Sequence, residues 1–132
     1  MDVKTLLLEI VNGENLDSKL IEIPRDIKFS SYSAVPANKP GRSDRIAFSD
    51  KQLKFPKGNF NEDDKKAIAL HSFANHELLA IEIMAAVMLK IPAINDEEKR
   101  LHKGILQSLR EEQKHFKLYC ERLNELGYEF GD

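Results

Sequence analysis

Residues 71–89 read HSFANHELLAIEIMAAVML, and apolar side chains recur there at three- and four-residue steps, the period of a helix that buries one side. The stripe runs Leu70, Phe73, Glu77, Ile81, Met84, Met88, Ile91, and Glu77 alone breaks it. Thirty-five residues beyond Glu77, a second stripe of Leu101, Ile105, Leu109, Glu112, Phe116, Tyr119, Leu123 and Leu126 is broken only by Glu112. His115 follows that acid by one helical turn and leans to the same side. An ionised carboxylate withdrawn from water without a partner is costly. Two of them in a helical seam call for a compensating positive charge, and a bound metal ion would supply one.

Outward from these stretches, the boundaries are written in capping residues. The first long helix is expected over 61–91, with Asn61 as its cap and Glu62, Asp63 and Asp64 placing negative charge on the positive end of the helix dipole. Pro92 stops it. The second is expected over 95–126, opened by Asn95 with Glu98 at capping-box spacing and closed before Gly127. Each of these helices would be about 45 Å long at 1.5 Å per residue, and so short a connection forces them antiparallel. Glu77 lies 16 residues before Ala93 at the loop centre and Glu112 lies 19 after it, so the two acids fall within one turn of the same depth.

Ahead of the hairpin, Asp2–Val11 reads as a short helix closed by Asn12 and Gly13, and Asn15–Ile23 as a second one ended by Pro24. Residues 25–60 contain Pro36, Pro40, Pro56, Gly41, Gly58 and a serine cluster without helical period. They read as an extended arm wrapped on a surface, because a free linker of that length is unusual in a compact domain. The expectation is one all-α domain over 1–132, with short helices in 1–24, the arm in 25–60, and the two long helices.

At 132 residues the chain can bury a core without disulfides, and its 42% hydrophobic and 32% charged composition is that of an ordinary folded helical protein. Twenty basic against 22 acidic residues make no electrostatic case for nucleic acid or an anionic membrane. The opening MDVKTLLLEIVNG has too brief an apolar run for a signal peptide or a membrane span, and the single Cys120 accords with a reducing compartment. A cytoplasmic location is expected.

Glu77 with the pair Glu112 and His115 forms half of a set found in carboxylate-bridged dinuclear sites of four-helix bundles, where two helices each give a Glu and two give Glu-x-x-His. Residues i and i+3 share a face, so a carboxylate can reach an ion that the imidazole also holds. By itself Glu-x-x-His is a weak signal; the seam position, the matched depth and the companion acid strengthen it. The competing reading leaves Glu77 and Glu112 partly exposed, or paired with Arg110, Lys114 or Lys117 at the edge of a bundle. His76 reads as a surface residue, His71 as a helix-surface or interhelical hydrogen-bonding group, and His102 as solvated. Glu82 and Glu111 flank the seam and enter it if the helical phase is off by a step. Tyr119 and Cys120 read as core.

At 71–89 and at 110–132, REEQKHFKLYCERLNELGYEFGD, the chain resembles an uncharacterised bacterial ferritin-like family, and PANKPGRSDRI at 36–46 looks like that family too. The resemblance implies a ferritin-like bundle distantly similar to rubrerythrins and di-iron tRNA hydroxylases, with Glu77, Glu112 and His115 on the ligand positions. It implies iron, or manganese, as cofactor, and a non-haem di-iron oxidoreductase using dioxygen or peroxide on a small-molecule substrate. Iron handling of the ferroxidase kind and a non-catalytic helical interaction module are the alternatives. Family members carry a second helical pair with another Glu and another Glu-x-x-His, which this sequence lacks. The expectation is therefore either a fragment of a longer protein or a homodimer in which two long hairpins complete one four-helix bundle.

Overall fold

The computed structural model describes residues 2–29, 31–35, 39–46 and 63–131. Among these residues four α-helices run in the order α1 (Val3–Asn12), α2 (Leu16–Lys19), α3 (Asp63–Lys90) and α4 (Asp96–Glu125), with a 3-10 turn at Asp44–Ile46 between α2 and α3. Among the described residues there is no strand, only an isolated parallel bridge between Asp2 and Lys28. The helical-hairpin class read from the two apolar stripes is the architecture found: α3 and α4 pack side by side, and α1 lies against α3.

Three helix ends have a local chemical cause. Asp2 stands just outside α1 and accepts from the Thr5 amide at 2.9 Å. Asn95 and Glu98 form the full capping box, the Glu98 amide donating to Asn95 Oδ1 at 2.8 Å and the Asn95 amide donating back to Glu98 Oε1 at 3.1 Å. At the far end of α4, Gly127 takes φ +86°, its amide donates to Asn124 and the Tyr128 amide donates to Leu123, the paired bonds of a Schellman terminator. The expected Asn15–Ile23 helix shrinks to Leu16–Lys19, its last residue, Lys19, being buried in the core. The expected cap at Asn61 lies outside the described residues.

Val3, Leu6, Leu7 and Ile10 of α1 are wholly buried, as are Ala74, Leu78, Ile81, Ala85 and Met88 of α3 and Leu109 and Phe116 of α4. Full burial of a side chain of the Leu or Ile kind is worth about 1.5–3 kcal/mol, so α1 is held by its apolar side. α3 therefore serves two neighbours, which is why it is apolar nearly all round while α4 has one distinct apolar side. This corrects the single stripe read from the sequence. Ile81 and Met88 are buried, but Phe73 is exposed and Glu77 sits at the rim of the seam rather than inside it.

The described parts of the arm are extended and pinned to the helices by backbone bonds. The Val35 amide donates to Leu89, the Ala93 amide to Tyr32, the Gly41 amide to Val11 and the Ser43 amide to Glu14. A Cβ at Gly41 would stand 2.2 Å from the Asn12 carbonyl oxygen, so the arm crosses the end of α1 at a distance that only glycine permits.

That crossing delivers Arg42 to Glu82. The Glu82 carboxylate is fully buried, and Arg42 clasps it in two places, Nε donating to Oε2 at 3.2 Å and Nη2 donating to Oε1. Lys19, also fully buried, stands 3.0 Å from Oε2 and donates to the Ile10 and Val11 carbonyls at 2.9 and 3.1 Å. All three ammonium protons are used, two of them on carbonyls in the last turn of α1, where a positive charge is favoured. Burial pulls the Lys19 amine below 10.5, and the bond and charge of Glu82 pull against that fall. Glu82 is thus a core ion-pair residue, not a group flanking the hairpin seam.

His102 is fully buried, which corrects the expectation that it is solvated. The Tyr32 hydroxyl donates to the Met88 carbonyl at 2.7 Å and lies 3.2 Å from His102 Nδ1. Since that single phenolic proton is spent on Met88, the imidazole is the donor at Nδ1. Burial pushes the Tyr32 phenol up to about 12, so it remains a donor. Burial also pulls the His102 imidazole down, against the Ile91 backbone and Glu98.

Two outcomes are expected. Glu82→Ala leaves Lys19 and Arg42 buried without their anion and should lower stability by about 3–5 kcal/mol in urea unfolding, more than Lys19→Ala, which leaves Arg42 on Glu82; equal losses would refute this ranking. His102 is held neutral by the fold, so its contribution is whole above the unfolded-state pKa of about 6.5 and is lost as pH falls below it. Between pH 7.5 and 5.5 the wild type should lose stability more steeply than His102→Gln, by up to about 1.4 kcal/mol per pH unit, and parallel curves would contradict it.

Candidate metal centre

Glu77 on α3 and Glu112 and His115 on α4 converge near the middle of the hairpin. His115 Nδ1 stands 3.9 Å from Glu77 Oε2 and 3.8 Å from Glu112 Oε2. One ligand-type atom from each of the three lies within 4.8 Å of the others. The antiparallel register brings the two acids to one level, and the i,i+3 step from Glu112 to His115 turns both towards the same side.

These separations are too long for hydrogen bonds. They are close to what an ion needs: ligands at about 2.1 Å from a six-coordinate ion lie roughly 3.0 Å apart when adjacent and about 4.2 Å apart when opposite. Small rotations about side-chain bonds would bring the three atoms onto one ion. Two carboxylate oxygens and an imidazole nitrogen suit divalent iron, manganese or zinc.

Two of the cations that could have neutralised the acids have their contacts elsewhere. Arg110 donates to the Pro24 carbonyl at 2.9 Å and to Gln107 at 3.3 Å, and Lys114 lies nearest Glu111 at 3.9 Å. Among the described residues the one basic side chain within 4 Å of the Glu77 and Glu112 carboxylates is His115. The Glu77 and Glu112 side chains are 20% and 23% exposed and His115 is 49% exposed, so the acids are half withdrawn from water while the imidazole opens outward.

Apolar groups frame the site. Phe73, one turn before Glu77, meets Tyr119, one turn after His115, with ring centroids 5.7 Å apart. Beneath them Phe116 is buried and stands edge-on to Phe130.

The other sequence candidates lie away from this cluster. His76 is exposed, and Glu111 contacts Gln107 and Lys114. His71 stacks on Phe130 and accepts from the Gly131 amide at 2.9 Å, so its bond is to the segment after α4 rather than between helices. The Cys120 thiol is pushed up to about 11 by burial, which keeps it protonated and unreactive near neutral pH. Glu82 was legible as a core residue from one missed signal: it sits four residues after Leu78, three before Ala85 and seven before Leu89, inside the second apolar stripe of α3.

Residues 8–132 match a protein family described as "Protein of unknown function (DUF455)". No curated protein and no solved structure matches the chain.

Proposed function

We propose that this chain, which belongs to that family of unknown function across residues 8–132, is a metal-binding protein in which Glu77, Glu112 and His115 hold a divalent transition metal, and that its chemistry is oxidoreduction with dioxygen or peroxide. The observation that carries the reading is the convergence of two carboxylates and an imidazole whose charged partners are one another. Ferritin-like character, iron as the resident metal and a dinuclear centre belong to the same proposal, supported by the Glu and Glu-x-x-His pattern of the two long helices.

Each side chain has a definite part in it. Glu77 and Glu112 come from different helices, so an ion held between them would tie α3 to α4. His115 offers a neutral nitrogen from the exposed side, leaving that side open for water, oxygen or a small substrate. Phe73 and Tyr119 place apolar rings beside the acids and keep part of the site dry. Bound iron would supply the redox chemistry, two ferrous ions giving the two electrons that, with two protons from water, reduce one hydrogen peroxide to two waters.

A non-catalytic helical module is the second reading, favoured by Glu82, which shows that this fold also uses a buried acid purely for structure. Metal measurement separates the two. Protein purified without chelator should retain iron, manganese or zinc. Manganese(II) at 100 times its dissociation constant should raise the stability of the wild type by about 2.7 kcal/mol in thermal unfolding. Glu112→Ala should lose at least a factor of ten in affinity and most of that rise. Anaerobic ferrous loading followed by air should change the near-ultraviolet absorption of the wild type alone. Wild-type protein that binds no metal and unfolds at the same temperature with and without manganese would refute the reading.

A further inference from the structure

We propose that the cleft between Phe29 and the first two turns of α4, lined by Lys99, Arg100 and Lys103, binds a small phosphate monoester whose organic part is flat and apolar. This site is separate from the metal cluster, since Arg100 precedes Glu112 by about 18 Å along the helix.

Spacing builds one wall of the cleft. Asp96, Lys99, Arg100 and Lys103 follow one another at steps of three, one and three, so they share one side of α4. The arm supplies the other wall. Ile27 is buried and the Lys28 carbonyl accepts from the Val3 amide at 2.9 Å, so the chain is already fixed where Phe29 begins, and Phe29 itself packs on the core. The Lys103 ammonium stands 5.5 Å from the centre of the Phe29 ring, a contact that keeps a flexible cation at the cleft. The space enclosed is about 480 Å³, the size of sites that take small molecules.

Charge selects the ligand. Among the described residues no carboxylate stands within ion-pair distance of Lys99, Arg100 or Lys103, whereas further along α4 Lys114 is 3.9 Å from Glu111 and Arg122 is 2.6 Å from Glu125. Asp96 is the one acid among the residues that line the cleft. Glu98 spends its carboxylate on the Ile94 and Asn95 amides, and Glu97 is turned about 120° from Lys103 and about 160° from Lys99 around the helix. Three cations against one acid leave a surplus of two positive charges. A phosphate monoester brings about two negative charges at neutral pH, where a carboxylate brings one. Arg100 adds a planar fork that fits two phosphate oxygens at once, and the lysines add point charges on either side. The helix end itself is not the attraction, because Asn95 and Glu98 already cap it. Phe29 meets the organic part, which favours a ring over a polar chain.

Isothermal titration calorimetry in chelator tests the cleft apart from the metal reading, because no metal ion is then present to hold phosphate elsewhere. Phenyl phosphate should bind roughly fivefold tighter than inorganic phosphate, the difference coming from Phe29, and benzoate should bind more weakly than either. Arg100 and Lys103 are exposed, so Arg100→Gln and Lys103→Gln should keep wild-type helicity by circular dichroism while each weakens phenyl phosphate by about tenfold. Lys117→Gln, an exposed cation on the same helix but distant from the cleft, should change nothing. Phe29→Leu keeps an apolar side chain on the core and should bring phenyl phosphate down to the affinity of inorganic phosphate. Wild-type protein that gives no heat with millimolar phenyl phosphate overturns the site, and benzoate binding as tightly as phenyl phosphate overturns the ligand class. Single-stranded RNA bound far more tightly than phenyl phosphate, and weakened by Lys117→Gln as much as by Arg100→Gln, overturns the cleft in favour of a diffuse polyanion surface.

Discussion

Glu82 carries a negative charge into a largely apolar core, and the segments packed on that side of α3 are arranged to answer it. Lys19 comes from the end of α2, Arg42 from the arm and Glu82 from the long helix, so one carboxylate fixes three segments far apart in the sequence. The two cations exceed the one anion, and the surplus is met by the Ile10 and Val11 carbonyls at the negative end of α1. Ion pairs at such depth add little net stability compared with a well-packed apolar cluster, but removing one member is severe. Their value here is alignment: with Gly41 allowing the close crossing, Arg42 can reach its partner in one arrangement of the arm.

α3 is accordingly a helix with two allegiances. One side holds α1 and the ion pair; the edge next to α4 holds Glu77 and the metal-type cluster. Glu77 and Glu82 are five residues apart, which turns them well over 90° from each other around the helix axis. The same residue type thereby meets two environments, a dry one with fixed cations and a half-wet one whose partners are another carboxylate and an imidazole.

Helix type, the loop at Pro92, the capping box and the level at which Glu77 meets Glu112 and His115 were all legible in the sequence, because each follows from local period or capping chemistry. The phase of α3 was only partly legible. A helix contacted from two sides has no single apolar direction, so the stripe through Phe73 and Glu77 passed for the core when it marks the rim. His102 illustrates the other gap. Its burial depends on Tyr32, which lies 70 residues away on an extended arm, and no local pattern announces such a partner. Glu82, Lys19 and Arg42 share that character: long-range ion pairs show in the sequence only as charged residues in apolar company.

The saturation of Lys19 also has a chemical consequence. An amine whose three protons are fixed on two carbonyls and a carboxylate, and which meets no solvent, has neither an available lone pair nor an approach path for an acylating reagent. Exposed lysines such as Lys114 and Lys117 react from the native state, whereas modification of Lys19 must wait for the segments around α1 to separate. Its rate of labelling therefore reports the opening of the core itself, independently of any spectroscopic probe.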